Sequence, residues 1–335
     1  MRFSRRAGPR GRVLPGILLL GALAACAPVT RPAGEPVMAP AYADDALTMA
    51  DATPLALHAW LPSRPPRAVI LALHGYNDYG NAFDLPATRW AEKGIATFAY
   101  DQRGFGQSAM PGLWPGTASL VADAEAAVAL IARRHPGVPL VLLGESMGGA
   151  VTALVIARDP PPELSAAVLV APAVWGQDAM PWGYRASLWL LAHIAPGMEL
   201  SGSGLEIWPS DNIPMLRALG QDPLVIKGSR ADAVLGLVRL MDSGQASAGE
   251  MSLPVLLVYG EQDQIVPREA MMLYAGRLNG PVRFATYPQG YHMLLRDLGR
   301  ALPVDDIASF VLDPAAPLPS GNEERSREFL FPATN

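Results

Sequence analysis

The run Val141-Leu142-Leu143-Gly144-Glu145-Ser146-Met147-Gly148-Gly149 constrains this chain more than any other stretch. Apolar residues lead into Gly-x-Ser-x-Gly, and a helix-forming segment follows through Arg158. The pattern predicts a buried strand that ends in a sharp turn and feeds a helix. A serine on such a strained turn projects its hydroxyl clear of the backbone. Gly144 and Gly148 lack a Cβ, so neighbouring backbone can approach closely. Ser146 then sits at the positive end of a helix, where a developing oxyanion is stabilised. It is the expected nucleophile.

Around this turn, strand and helix patterns alternate. Short extended runs at 46–51 and 54–61 come first, and then the continuous apolar run Ala68-Val69-Ile70-Leu71-Ala72-Leu73. Such a run suits a strand covered on both faces. A helix over 81–93 is closed by Gly94. Strands at 96–100, 139–143 and 167–170 follow, with an amphipathic helix at 117–135. From Trp175 to Met251 the rhythm stops. Helical pieces near 183–194, 212–219 and 230–242 are joined by Gly, Ser and Pro, as in an inserted cap. It resumes with the strands 255–259 and 282–287 and helices at 267–278 and 304–312. The expected class is α/β, a doubly wound, mostly parallel sheet with a helical cap after the sixth strand. The core spans 46–174 and 252–312, the cap 175–251, and 313–335 reads as an irregular, loosely packed tail.

Acyl transfer by a serine needs a base, an acid that orients the base, and donors for the oxyanion. After Ser146 there are two histidines. His193 lies on an apolar stretch of the cap. His292 stands just past the last strand, in Gly290-Tyr291-His292-Met293-Leu294-Leu295, where such sheets place function. His292 is the expected base. The preceding strand runs into Gly260-Glu261-Gln262-Asp263-Gln264-Ile265-Val266-Pro267. Asp263, at the loop tip, is the favoured acid and Glu261 the alternative. His58 reads as a strand-face residue.

These elements, with His74-Gly75 and Asp101-x-Arg103-Gly104-x-Gly106-x-Ser108, resemble the monoacylglycerol lipase and lysophospholipase-like branch of the α/β-hydrolases (the hydrolase 4, serine aminopeptidase S33-type family). The resemblance covers residues 55–312 and is strong in the core, weak in the cap. It implies oxyanion donors at the backbone amides of Tyr76 and Met147. It also implies that His74 props its loop and that Glu145 is structural. Phe105 stands where many relatives carry histidine, a departure that affects packing. The implied activity is hydrolysis of acyl esters, monoacylglycerols or lysophospholipids, with no cofactor or metal. Trp182, Leu188, Trp189, Leu190, Leu191, Ile194, Met198 and Leu200 could line an acyl channel or simply pack the cap onto the core. A short-chain esterase or an acyltransferase with the same residues, and a non-catalytic lipoprotein, are the competing readings. A serine at the turn argues against aspartate-nucleophile dehalogenases and epoxide hydrolases.

Residues 1–12 are basic, and Val13 to Ala25 form an apolar stretch too short to span a bilayer. The stretch ends in Leu23-Ala24-Ala25-Cys26, which resembles the lipobox of bacterial lipoproteins. Cys26 is the single cysteine of 335 residues, so no intramolecular disulfide can form. The expectation is a signal peptide at 1–25, a lipid on Cys26, and a flexible tether over 26–45 holding the body off the membrane. The enzyme would then lie in the bacterial cell envelope on the periplasmic face. Ala27 in place of aspartate after the cysteine favours the outer membrane.

Net charge is −5, and the first 25 residues hold five arginines and no acid. The remainder carries 26 − 5 = 21 basic against 31 acidic residues, or −10, a poor match to a phosphate backbone. No nucleic-acid partner is expected. Five scattered histidines offer no metal-ligand cluster. Gly104-x-Gly106-x-x-Ala109 matches a dinucleotide fingerprint only formally, because Pro111-Gly112 follows instead of a helix.

Overall fold

The structure is a computed structural model and describes residues 27–157, 159–176, 180–202, 204 and 206–332. The signal segment and Cys26 lie outside the described residues. The strands before the insertion are β1 (Ala41–Tyr42), β2 (Ala46–Thr48), β3 (Pro54–Trp60), β4 (Ala68–Leu73), β5 (Ile95–Tyr100), β6 (Leu140–Glu145) and β7 (Leu164–Val170). Inside the insertion, β8 (Glu199–Leu200) and β9 (Ser229–Arg230) form a small antiparallel ribbon. After it come β10 (Val255–Gly260) and β11 (Val282–Tyr287). The main sheet has the order β1-β2-β3-β5-β4-β6-β7-β10-β11. From β5 onward every pairing is parallel, and β1, β2 and β3 form an antiparallel edge.

The apolar runs explain the layering. Alternate residues of a strand point to opposite faces. Val69, Leu71 and Leu73 of β4 pack on one side; Ala68, Ile70 and Ala72 pack on the other. The first face is covered by α2 (Thr117–Arg134), after α1 (Asp84–Glu92) has covered the second. α3 (Met147–Ile156) also packs on the first face. Within the insertion lie α4 (Trp182–Ile194), α5 (Ile213–Gln221) and α6 (Ala231–Ala246). α7 (Arg268–Ala275) joins the first face, α8 (Ala301–Leu312) the second, and α9 (Glu323–Leu330) follows. The chain is thus doubly wound and has the α/β-hydrolase fold. The strand order reverses at β4, whose neighbours β5 and β6 lie on its two sides, so a crevice opens at the carboxyl ends of β4 and β6. Leu73 pairs with Gly144 there, which sets the His74-Gly75 loop beside Ser146.

Several expected boundaries change. β1 lies in the stretch read as a tether, so the strand before the insertion is the seventh in chain order. The tether reading itself is corrected, because residues 29–38 are laid along the body. The Arg31 N–H donates to Trp114 O at 2.8 Å, Ala33 N–H to Ser119 Oγ at 2.9 Å, and Val37 N–H to Ala50 O at 2.8 Å. Backbone donors alone make these bonds, so no side-chain periodicity announces them. The loose-tail reading is corrected too. Leu330 of α9 is buried, Ser326 Oγ accepts from the Thr286 N–H at 2.7 Å, and Glu323 takes a two-pronged ion pair from Arg283 at 2.7 and 2.8 Å. α9 closes the far edge of the sheet against β11.

Candidate active site

The turn after β6 is built by exclusion. A Cβ on Gly144 would stand 2.1 Å from Gly148 O, and one on Gly148 would stand 2.0 Å from Leu73 O. Only glycine lets strand, turn and helix meet this closely. Ser146 takes φ 54° and ψ −115°, a conformation that side chains avoid unless the surroundings enforce it. Its N–H donates to Val170 O at 3.0 Å and its carbonyl accepts from Ala173 N at 2.8 Å, so the end of β7 and the loop after it hold both sides of the turn.

The structure brings Ser146, His292 and Asp263 together. His292 Nε2 lies 2.9 Å from Ser146 Oγ, and His292 Nδ1 lies 2.8 Å from Asp263 Oδ2. Asp263 Oδ1 accepts the N–H groups of Ile265 at 2.8 Å and Val266 at 3.0 Å, which fixes the carboxylate plane. His292 is buried. Burial alone would lower its pKa, but the adjacent Asp263 carboxylate outweighs it, and the net shift is upward. Glu261 is not in this chain of contacts. It accepts from Thr286 Oγ1 at 2.9 Å and pairs with Arg325 at 2.9 Å.

The Gly75 loop abuts the serine, since a Cβ on Gly75 would meet Ser146 Cβ at 3.4 Å and Oγ at 3.9 Å. This sets the loop that continues into Tyr76 beside Ser146, and Met147 opens α3 directly after the serine. His74 is fully buried. Its Nδ1–H donates to Gly75 O at 2.8 Å and its Nε2 accepts from Gln102 N at 2.9 Å, so both ring nitrogens are spent on the loop. Burial holds its pKa down. His58 Nε2 pairs with Asp101 at 2.9 Å, away from the serine. His193 is half-buried on α4, bonded to Trp189 O at 2.6 Å. Phe105 meets the His74 and Tyr76 rings edge-on.

Sequence reasoning missed the charges beneath the turn. Arg296, buried, lies 2.7 Å from Asp78 Oδ2 and 3.4 Å from Glu145 Oε2. Burial raises the Glu145 pKa, with Arg296 opposing. An arginine following Leu294-Leu295, four residues past the histidine, was the available signal. Of the residues named for an acyl channel, Trp182, Leu188 and Trp189 line a cavity of about 440 Å³ with Leu235, Val238 and Arg239; Leu190 and Ile194 are exposed, and Ala192 is the one buried side chain of α4.

Residues 64–299 match the family described as serine aminopeptidase, S33. The monoacylglycerol lipase of Mycolicibacterium smegmatis is 30% identical over 76% of this chain and 91% of its own length. The monoglyceride lipase of Mus musculus is 28% identical over 75% of this chain and 84% of its own. Among solved structures, the monoacylglycerol lipase of Paleococcus ferrophilus superposes with a TM-score of 0.65 at 20% identity, covering 77% of this chain and 98% of that one. A soluble variant of the Saccharomyces cerevisiae monoglyceride lipase, in complex with a substrate analog, gives 0.67 at 17% identity, covering 86% and 98%. At these identities the structures speak to fold.

Proposed function

Because the chain belongs to the serine aminopeptidase S33 family of α/β-hydrolases and is a serine hydrolase, we propose that Ser146 attacks acyl esters, monoacylglycerols or lysophospholipids in particular. The observation that carries this reading is the relay from Ser146 Oγ through His292 to Asp263, at 2.9 and 2.8 Å. The relatives named as monoacylglycerol lipases support the lipid class.

In this reading His292 Nε2 takes the Ser146 proton as Oγ bonds to the ester carbon. The carbonyl oxygen becomes an oxyanion and accepts from the Tyr76 and Met147 amides. Each such donor contributes about 3–4 kcal/mol to the transition state. Asp263 holds the imidazole in the tautomer that can accept and stabilises the imidazolium formed. The imidazolium then protonates the leaving alcohol as the C–O bond breaks. Water, deprotonated by His292, releases the acid and restores the Ser146 hydroxyl. Residues 175–251 serve as the cap over this crevice.

The test is fluorophosphonate labelling mapped by mass to Ser146, followed by a chain-length series of glycerol and p-nitrophenyl esters. Full esterase activity in Ser146→Ala would refute the nucleophile. An optimum at acetate with no turnover of longer chains would refute the lipid class. We also propose that Cys26 carries a lipid that holds the protein in the bacterial envelope. Cys26→Ser should then lose incorporated palmitate and move from the membrane to the soluble fraction.

A further inference from the structure

We propose that Asn77 and Ser229 are positioning residues, through which the insertion holds the Tyr76 amide in the oxyanion hole, so that the Ser146 site is complete only with residues 222–229 seated. The proposal rests on the Ser146 reading above, with the Tyr76 amide as an oxyanion donor.

The loop from Gly75 to Tyr79 is anchored at its ends by the core. The Gly148 N–H donates to His74 O at 3.1 Å, and the Gly80 N–H donates to Asp101 Oδ1 at 2.9 Å. Asp78 ties the loop inward, because its Oδ2 lies 2.7 Å from Arg296. Between these anchors the chain makes a turn, closed by the Asp78 N–H on Gly75 O at 3.3 Å. Asn77 is the third residue of the turn and takes φ 66°. A positive φ at that position favours glycine. Asparagine tolerates it too, and unlike glycine it carries an amide that can reach outward.

That amide reaches the insertion. Asn77 Nδ2–H donates to Ser229 Oγ at 2.7 Å, and Asn77 O accepts the Ile226 N–H at 2.9 Å. The Tyr76 hydroxyl meets Ser229 as well, and the Tyr79 hydroxyl donates to Asp222 Oδ2 at 2.8 Å. Ser229 is itself held in place. It lies on β9 opposite Leu200 of β8, and β9 runs straight into α6. α6 packs on α3, the helix that Met147 opens directly after Ser146. The Tyr76 and Met147 segments are therefore fixed to each other through the core, where Gly75 abuts Ser146, and again through the insertion. A donor stabilises an oxyanion only when it is already fixed where the charge develops. A turn free to rock about its end anchors would lose that fixity, and a misplacement of about 1 Å costs about 10²-fold in rate. The Asn77 bonds remove this freedom.

The test compares Ser229→Ala, Ser229→Thr and Asn77→Gly in the full chain, with a dissolved p-nitrophenyl ester. Ser229→Ala removes the acceptor. Asn77→Gly removes the donor and leaves the backbone conformation accessible, so it decides the matter should Ser229→Ala fold poorly. Each should lower kcat about 10- to 100-fold, with KM and the pH midpoint of activity unchanged. Ser229→Thr keeps the hydroxyl and should keep kcat. An alkyl boronic acid forms a tetrahedral adduct on a serine nucleophile and sets an oxygen in the hole. Its affinity should fall by the same factor as kcat/KM. Ser229→Ala/Asn77→Gly should be no slower than the slower single variant, because both changes remove one bond. An unchanged kcat in the folded single variants, whatever their melting temperature, would make the bond a docking contact and overturn the proposal. So would losses that multiply in the double variant, or a boronic acid affinity that does not follow kcat/KM. Turnover abolished by Ser146→Ala but untouched by Ser229→Ala and Asn77→Gly would overturn the positioning role alone. Full turnover in Ser146→Ala would overturn the active-site reading and this role together.

Discussion

Asp263→Asn is the sharpest probe of the site, because the structure dictates which way the new amide must face. Asp263 Oδ1 accepts the Ile265 and Val266 N–H groups at 2.8 and 3.0 Å. An asparagine there must keep its oxygen toward those two donors, since its NH2 would otherwise oppose them. The NH2 is thereby aimed at His292 Nδ1, which can meet it only by becoming an acceptor. The ring proton then moves to Nε2, and Nε2 can no longer accept from Ser146 Oγ. Forcing this wrong tautomer in a serine triad costs about 10⁴ in kcat, or about 5.5 kcal/mol at 1.36 kcal/mol per decade. The pH dependence carries a second signature. In the wild type the Asp263 carboxylate outweighs burial and raises the His292 pKa, so activity should rise with pH through a midpoint above the ordinary imidazole value of about 6.5. Without the carboxylate, burial dominates, and the acid limb of the residual activity should move to lower pH. A raised histidine pKa contributes stability below the unfolded value and loses it as pH rises through the folded value. The variant should therefore be destabilised more at pH 5.5 than at pH 9. The assays are kcat/KM against pH with a soluble ester, and thermal melts at both pH values. Retention of a tenth of the activity with an unmoved acid limb would refute the reasoning. So would a larger loss in Glu261→Gln, whose partners are Thr286 and Arg325.

Two further substitutions and a truncation test the frame. Arg296→Met leaves Asp78 and Glu145 buried without their cation and should cost about 3–5 kcal/mol in denaturant melts; adding Asp78→Asn and Glu145→Gln should recover much of it. Gly144→Ala places a Cβ 2.1 Å from Gly148 O and 2.5 Å from Thr152 Oγ1, and the helix carbonyl cannot rotate away, so the soluble yield should collapse or stability fall by more than about 3 kcal/mol. Truncation after Ser320 removes α9 with Leu330 and the Arg283–Glu323 pair and should lower stability by about 2–3 kcal/mol, the scale of one buried leucine with little added by a half-exposed ion pair.

The fold was legible because its parallel strands are covered on both faces. Ala68–Leu73 and Val255–Gly260 read as unbroken apolar runs for that reason. The positions of Ser146 and Asp263 were legible because each follows such a run, and that of His292 because it stands just past the last strand, β11. The limits were set by groups that fold through backbone donors or through distant charges. Residues 29–38 bond to the body by their N–H groups, and an amide looks the same in every residue. α9 is mostly charged, and what docks it is Ser326 against Thr286, 40 residues away. Arg296 meets Glu145 across 151 positions, a separation over which a single sequence carries no spacing rule. Helix α4 misled differently. Its apolar residues read as a buried stripe, yet Trp182, Tyr184, Trp189, Leu190 and Ile194 are all exposed, and Trp182 and Trp189 border a cavity against α6.

The insertion is held unequally, and this bears on how a substrate can enter. Its segment 208–212 is bound to the His292 loop by several bonds. Met293 N–H donates to Pro209 O at 2.8 Å, Ser210 Oγ to Asp297 at 2.6 Å, Asn212 Nδ2 to Arg296 O at 2.8 Å, and Leu298 N–H to Asp211 at 2.8 Å. Asp297 in turn accepts the Tyr291 N–H at 2.7 Å, one residue from the histidine. Burial raises its carboxyl to about 6, against the pull of the Ser210 hydroxyl and the Tyr291 N–H. Moving this half of the insertion would drag His292 away from Ser146. The α4 half has no comparable ties to the histidine loop among the described residues and carries exposed apolar side chains. An opening that leaves the Ser146–His292–Asp263 relay intact must therefore come from the α4 half.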